Sequence, residues 1–233
     1  MLAGALADAQ RGRGRVVLVA GEAGIGKTRL VEEALAARGA RAHWGRCREA
    51  QGAPAYWPWI QALRSLAETI PPERLRAQLG GDAAELARLL PHARALVPGG
   101  GAAARPSADP EQLRFALFDA LTGWLGRATA TAPAVLVLDD LHWADSESLL
   151  LLRFLAGEIA SLRLLVIGTQ RELEARQLPA APRLLADAAR LGQRIVLRGL
   201  EPAEVATLVH GVLGGVPDEA LRAIERASEG NPF

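Results

Sequence analysis

The sequence predicts an α/β fold, a parallel β-sheet covered by helices on both faces. Short, wholly apolar runs at 16–20, 134–138 and 164–168 read as strands buried on both sides. Between them lie stretches with apolar residues three and four apart, the helical crossovers that parallel strands require. A glycine-rich turn at 21–26 separates the first apolar run from the first long helical stretch.

In chain order, residues 2–10 read as a short helix that Arg11–Gly14 (RGRG) breaks. Strand Val16–Ala20 follows, then the glycine turn and a helix from Lys27 to about Arg38, with Leu30, Val31 and Leu35 on one face. A short strand is expected at Arg41–Gly45. The segment RCREAQGAPAYWPW then loops into a helix at Ile60–Ile70, and two short helices lie between Glu73 and Leu90. Segment 97–110, rich in Gly, Pro and Ala, reads as a mobile surface loop. Helical spacing resumes over Glu111–Ala128 through Leu113, Leu117, Leu121 and Leu125, and Pro133 stops it. After strand Ala134–Leu138, Asp145 is placed to cap a helix carrying Leu149–Ile159. Strand Leu164–Gly168 ends in Thr169, Gln170 and Arg171. A further strand is expected at Arg194–Arg198, with helices at Glu201–Leu213 and Asp218–Ser228.

With 233 residues, half of them hydrophobic, the chain can bury a sizeable core. A formal charge of +1 argues against a disordered tail or a strongly basic nucleic-acid binder. Cys47 is the sole cysteine, so no internal disulfide forms, and neither CxxC nor clustered histidines offer metal-site spacing. The start, MLAGALADAQRGRG, lacks a signal peptide's apolar centre, and no run approaches the ~20 apolar residues needed to span a bilayer. A soluble protein in the reducing cytoplasm is the expectation.

The chemistry concentrates at strand ends. The octet Gly21, Glu22, Ala23, Gly24, Ile25, Gly26, Lys27, Thr28 matches GxxxxGK[ST], between a strand and a helix as that motif requires. Glycines let the backbone curl with its N–H groups inward, forming an anion nest at the positive end of a helix dipole. A triphosphate such as ATP is the natural guest, with Lys27 on the β- and γ-phosphates and the Thr28 hydroxyl on Mg2+. The run VLVLDD at 135–140 adds acids where a strand leaves the sheet, as in a Walker B strand. Asp139 is placed to hold Mg2+ through water. Asp140 is placed to orient or deprotonate an attacking water, or else to cap the next turn. Gln170 and Arg171 are candidates for sensing the γ-phosphate, an arginine there offsetting charge that spreads in the transition state; a solvated arginine after a strand is the alternative. Tyr56, Trp57 and Trp59 suit a buried helix anchor better than a stacking platform. His43, His92, His142 and His210 are scattered, and no catalytic role follows. Cys47 reads as packing.

Taken together, VAGEAGIGKTRLVEEAL, GAPAYWPWIQALR, VLVLDDLHWADSESLLLLRFLA, LLVIGTQRE and the final EGNPF resemble the ATPase module of large bacterial signal-transduction regulators. These are the STAND-type AAA-like ATPases of LuxR-type and MalT-like transcriptional activators. The resemblance covers nearly the whole chain and rests chiefly on DDLHWAD and GNPF. It implies a P-loop NTPase fold of the ASCE class, with a five-stranded parallel sheet in the order 5-1-4-3-2. The strand ending at Gln170 and Arg171 then lies between the P-loop strand and the Asp139 strand, with Arg171 facing the γ-phosphate. Residues 1–199 would form the nucleotide-binding domain and 200–233 the start of a helical lid, in which Pro232 of Gly230–Asn231–Pro232 packs on adenine. A Val-Gly-Arg-Glu-like segment expected upstream and the sensor and DNA-binding parts expected downstream are missing, as in a fragment of a larger regulator. The implied activity is a switch set by ATP with Mg2+ and reset by slow hydrolysis, in a parent protein that self-associates and touches DNA only through the missing parts. A non-catalytic nucleotide-binding module and a small-molecule phosphotransferase are the rival readings.

Overall fold

Side chains two apart on a strand share a face, and here the alternation sorts an apolar sequence into two cores. The computed structural model describes residues 1–49, 54–90, 109–171 and 181–233. Its strands are β1 (Arg15–Ala20), β2 (His43–Arg46), β3 (Ala134–Asp139), β4 (Leu164–Gln170) and β5 (Gln193–Val196). They form one parallel sheet in the order β2-β3-β4-β1-β5, which from the other edge is the expected 5-1-4-3-2.

Val16, Leu18, Leu136, Leu138, Leu164 and Val166 face one core, and Val17, Val19, Val135, Val137, Leu165 and Ile167 face the other. Helices α1 (Leu2–Gln10) and α2 (Lys27–Ala36) cover the second face. The first face carries α3 (Trp57–Ala67), α4 (Pro72–Leu79), α5 (Ala83–Leu86), α6 (Pro110–Thr129), α7 (Ser146–Glu158) and α8 (Ala181–Leu191). Each fully buried Leu, Val or Ile contributes roughly 1.5–3 kcal/mol of transfer free energy. This makes the middle of the sheet a rigid frame for whatever its strand ends carry. Two further helices, α9 (Pro202–Leu213) and α10 (Asp218–Ser228), follow β5.

Several bounds differ from the sequence expectation for physical reasons. Helix α3 begins at Trp57 rather than Ile60, because Pro58 is tolerated in a first turn and Trp59 is drawn fully inside. There its Nε1 donates to the Ser148 carbonyl at 3.0 Å, while the Tyr56 hydroxyl donates to Glu147 at 2.7 Å. These aromatics anchor α3 on α7, the packing role the sequence favoured. Strand β4 continues past Gly168 to Gln170, since Thr169 and Gln170 still pair with Val19 and Ala20. Helix α8 was not expected at all; its inward stripe is Ala181, Leu185 and Ala188, which is faint in sequence. The proposed mobile loop at 97–110 lies, through residue 108, outside the described residues.

Asp145 caps α7 as expected, accepting from the Ser148 N–H at 2.9 Å and the Ser148 hydroxyl at 2.6 Å. Asp145→Ala is expected to lower unfolding free energy by about 1–2 kcal/mol in urea titrations. An unchanged midpoint would show that the cap does not matter to stability.

Gly45 on β2 faces a tighter limit. A Cβ there would sit 1.8 Å from the Pro58 carbonyl oxygen and 2.6 Å from its carbonyl carbon, both backbone atoms that cannot rotate away. Gly45→Ala is therefore expected to cost about 2–3 kcal/mol, read as a lowered guanidinium midpoint. Wild-type stability in that variant would mean α3 slides off β2 without penalty.

Candidate functional site at the C-terminal strand ends

Parallel strands release their chain ends along one edge, and the register aligns three of them: Ala20 pairs with Gln170, and Leu138 with Gly168. Gly21, Asp139 and Gln170 therefore emerge side by side, and the Gly21 N–H donates to the Gln170 carbonyl at 3.3 Å.

The loop after β1 turns through left-handed backbone at Gly24 (φ +75°) and Gly26 (φ +92°), conformations that glycine adopts without steric cost. Gly26 is the N-cap of α2, and no side chain caps that terminus. Its first-turn N–H groups thus face outward at the positive end of the helix. Lys27 is buried, and its amine donates to the Glu22 carbonyl at 2.6 Å and the Gly21 carbonyl at 3.2 Å, folded over the loop.

Across the sheet edge, the Thr28 hydroxyl donates to Asp139 Oδ1 at 3.0 Å. Thr169 donates to the same oxygen at 2.6 Å and accepts the Asp140 N–H at 2.9 Å. Asp139 is buried, whereas the Asp140 side chain keeps 39% of its exposure. Asp140 has left-handed backbone (φ 60°, ψ 47°), and its carboxylate makes no capping bond to the turn it precedes. Buried His142 lies behind it, with Nδ1 3.9 Å from Asp140 Oδ1 and accepting the Arg171 N–H at 3.4 Å. Gln170 is buried, and its Oε1 has no hydrogen-bond partner among the described residues. Arg171 is half-buried at the strand exit.

From the far end of the chain, Asn231 Nδ2 donates to the Ala23 carbonyl at 2.8 Å, and a Cβ on Gly24 would meet the Phe233 Cβ at 2.7 Å. The segment ending in Gly230–Phe233 therefore rests on the glycine loop, tied at its base by the Leu200 N–H donating to the Gly230 carbonyl at 2.7 Å. Pro232 itself is exposed.

The structure thus gathers Lys27, Thr28, Asp139, Asp140, Gln170 and Arg171 at one edge and brings the neighbours of Pro232 onto the loop. Sequence reasoning passed over Thr169, His142 and Asn231. A polar residue inside an apolar strand, as at Thr169, was the available signal; for Asn231 there was none beyond the motif it sits in. Cys47 is buried, and burial, followed by the Asp145, Asp140 and Asp139 charges, pushes its thiol well above the usual range, so it packs rather than reacts. Hydroxyl and carboxylate oxygens on Thr28 and Asp139, next to an uncapped helix terminus and a lysine amine, suit a phosphate chain accompanied by a hard divalent cation.

Residues 1–167 match the AAA ATPase domain family. The uncharacterized protein R02095 of Rhizobium meliloti (strain 1021) is 29% identical over 240 residues, covering 95% of this chain and 22% of that protein. The chain therefore spans less than a quarter of that relative. Among solved structures, the STAND protein PH0952 of Pyrococcus horikoshii, which has a tetratricopeptide repeat sensor, superposes with a TM-score of 0.56 at 20% identity. That likeness covers 97% of this chain and 27% of the other. The ORC2 protein of Aeropyrum pernix, solved in ADPNP–ADP complexes, gives 0.52 at 16% identity over 98% of this chain and 54% of its own. At these identities the structures speak for the fold, a P-loop NTPase sheet. The family match extends from α1 into β4 and takes in both the glycine loop and the paired aspartates, and on that ground the chain belongs to the AAA ATPase domain family.

Proposed function

We propose that this domain binds ATP with Mg2+ and hydrolyses it slowly, as the nucleotide switch of a larger LuxR- or MalT-like signal-transduction regulator. The carrying observation is the direct bond from Thr28 of the glycine loop to Asp139, beside the accessible carboxylate of Asp140.

In this reading Gly21–Gly26 and the start of α2 cradle the phosphates, and the Lys27 amine exchanges its loop carbonyls for β- and γ-phosphate oxygens. Thr28 and Asp139 hold Mg2+, which when bound offsets phosphate charge. The Thr28 hydroxyl keeps its proton on Asp139 while its lone pairs stay free for the cation. Asp140 orients a water and takes its proton as the water oxygen bonds to the γ-phosphorus and ADP departs with the bridging oxygen. Arg171 offsets the charge that spreads over the transferring group, and Gln170, whose amide oxygen has no hydrogen-bond partner among the described residues, registers whether that group is present. Pro232 packs on adenine from the lid, residues 200–233, while residues 1–199 carry the phosphate site. The lid's Asn231 contact with Ala23 supports a nucleotide-dependent lid position. Self-association and DNA contact belong to the parent protein, in the cytoplasm. No helix among the described residues is long and apolar enough to cross a membrane.

Titration with a fluorescent ATP analogue and Mg2+, with phosphate release followed in the same samples, tests this. Saturable binding with slow release to ADP and free phosphate is expected. A folded protein that does not bind would sink the reading; binding without release would mark a module whose output is shape alone.

A further inference from the structure

We propose that a recess at the N-terminal edge of the sheet, opposite the edge that carries Lys27 and Asp139, binds a small phosphomonoester through Arg38, Arg41 and Arg74. The inference goes beyond the ATPase reading and does not rest on it.

Parallel strands begin at one edge and end at the other, and this recess lies where they begin. Its walls include His43, the first residue of β2, and Ala134 and Val135, the first two of β3. The six residues of β3 put Asp139 about 17 Å away at the strand's far end. The recess holds about 430 Å3, a size suited to a small molecule. Arg38 and Arg41 reach it from the turn between α2 and β2, and Arg74 from α4. No aspartate or glutamate stands among the described residues that line it. Arg74 donates instead to the neutral Thr131 hydroxyl at 2.8 Å, and Thr131, having accepted that bond, keeps its own proton to give. His43 is buried, and burial, followed by the Arg41 charge, holds its imidazole below the usual pKa, so that charge is felt inside the recess. Cations gathered without a counter-charge repel one another, and an anion settling between them removes that cost. A phosphate ester carries close to two negative charges and three acceptor oxygens, enough for guanidinium groups arriving from separate segments. Leu66, Ile70 and Pro133 give the ester's carbon skeleton an apolar wall. Gln78 also lines the recess; it is buried, and its Oε1 has no hydrogen-bond partner among the described residues, an acceptor suited to a ligand hydroxyl.

The test titrates the nucleotide-free protein with 3-phosphoglycerate, which carries a phosphate ester and a hydroxyl, and follows the backbone amides by NMR. Salt at about 0.15 M screens diffuse surface attraction. Saturable shifts are expected at Gly39, Thr69 and Thr131, which line the recess, while Gly24 and Gly26 report the glycine loop separately. The double variant Arg38→Gln, Arg41→Gln is expected to weaken binding at least about tenfold, and Arg74→Gln about fivefold. Arg222→Gln, on α10 and outside the recess, should leave it unchanged. The three arginines are exposed, and the amide spectrum of each variant verifies its fold; Arg74→Gln alone serves should the double variant not fold. Shifts confined to Gly24 and Gly26, a titration that never saturates, or equal weakening by Arg222→Gln would each overturn the proposal. So would glycerol or malate binding as tightly as 3-phosphoglycerate, since the first lacks the charge and the second the phosphate. None of these readings involves ATP turnover, so a failure of the ATPase reading is seen separately.

Discussion

Lys27→Ala is expected to weaken Mg2+–ATP binding by roughly 100-fold, about 3 kcal/mol, with little change in stability. The amine is buried over the glycine loop and within reach of the same carbonyls that a phosphate chain would displace. Removing it takes away the only full positive charge contributed by the GxxxxGK[ST] octet, in a place where water screens poorly. Stability should survive because Lys27 opens α2, where alanine is a good helix former. Fluorescence titration measures the affinity, and a thermal melt of the same sample checks the fold. An alanine variant that binds as tightly as wild type would show that the phosphates do not lie in this loop.

The second large effect is on turnover. Asp140→Asn is expected to lower kcat for phosphate release by roughly 100- to 1000-fold while leaving ATP affinity nearly unchanged. The substitution is isosteric, asparagine tolerates left-handed backbone, and the N–H bond to Thr169 involves the main chain alone. What is lost is the accessible carboxylate, which makes no capping bond to the turn it begins. Hydrolysis at the wild-type rate would remove Asp140 from the reaction and leave His142 and Gln170 as the groups to examine.

Much of this edge was legible in the residues. Strands β1, β3 and β4 are buried on both faces, so their apolar runs stand out from half-buried strands, and the glycine octet declares its turn because left-handed backbone at two positions selects glycine. Asp145 was readable as a cap because a cap acts within three residues of itself. Helix α8 escaped because its buried stripe is mostly alanine, which carries little apolar area. Edge strand β5 is only half-buried, which blurs its bounds by one or two residues.

Local chemistry was written in the residues: a glycine loop of GxxxxGK[ST] pattern, two acids at a strand end, a polar exit from β4, and caps and turns that depend on near neighbours. Tertiary structure alone decided the pairings. Thr28 and Asp139 are 111 residues apart, and Asn231 and Ala23 are 208 apart. The hydroxyl of Thr169 acquires its two partners only because β4 is inserted between β1 and β3. The physical reason is that propensity and periodicity act over a turn or two of chain. Which strand ends lie side by side depends instead on how two apolar faces are covered at once, and that is a property of the whole sheet.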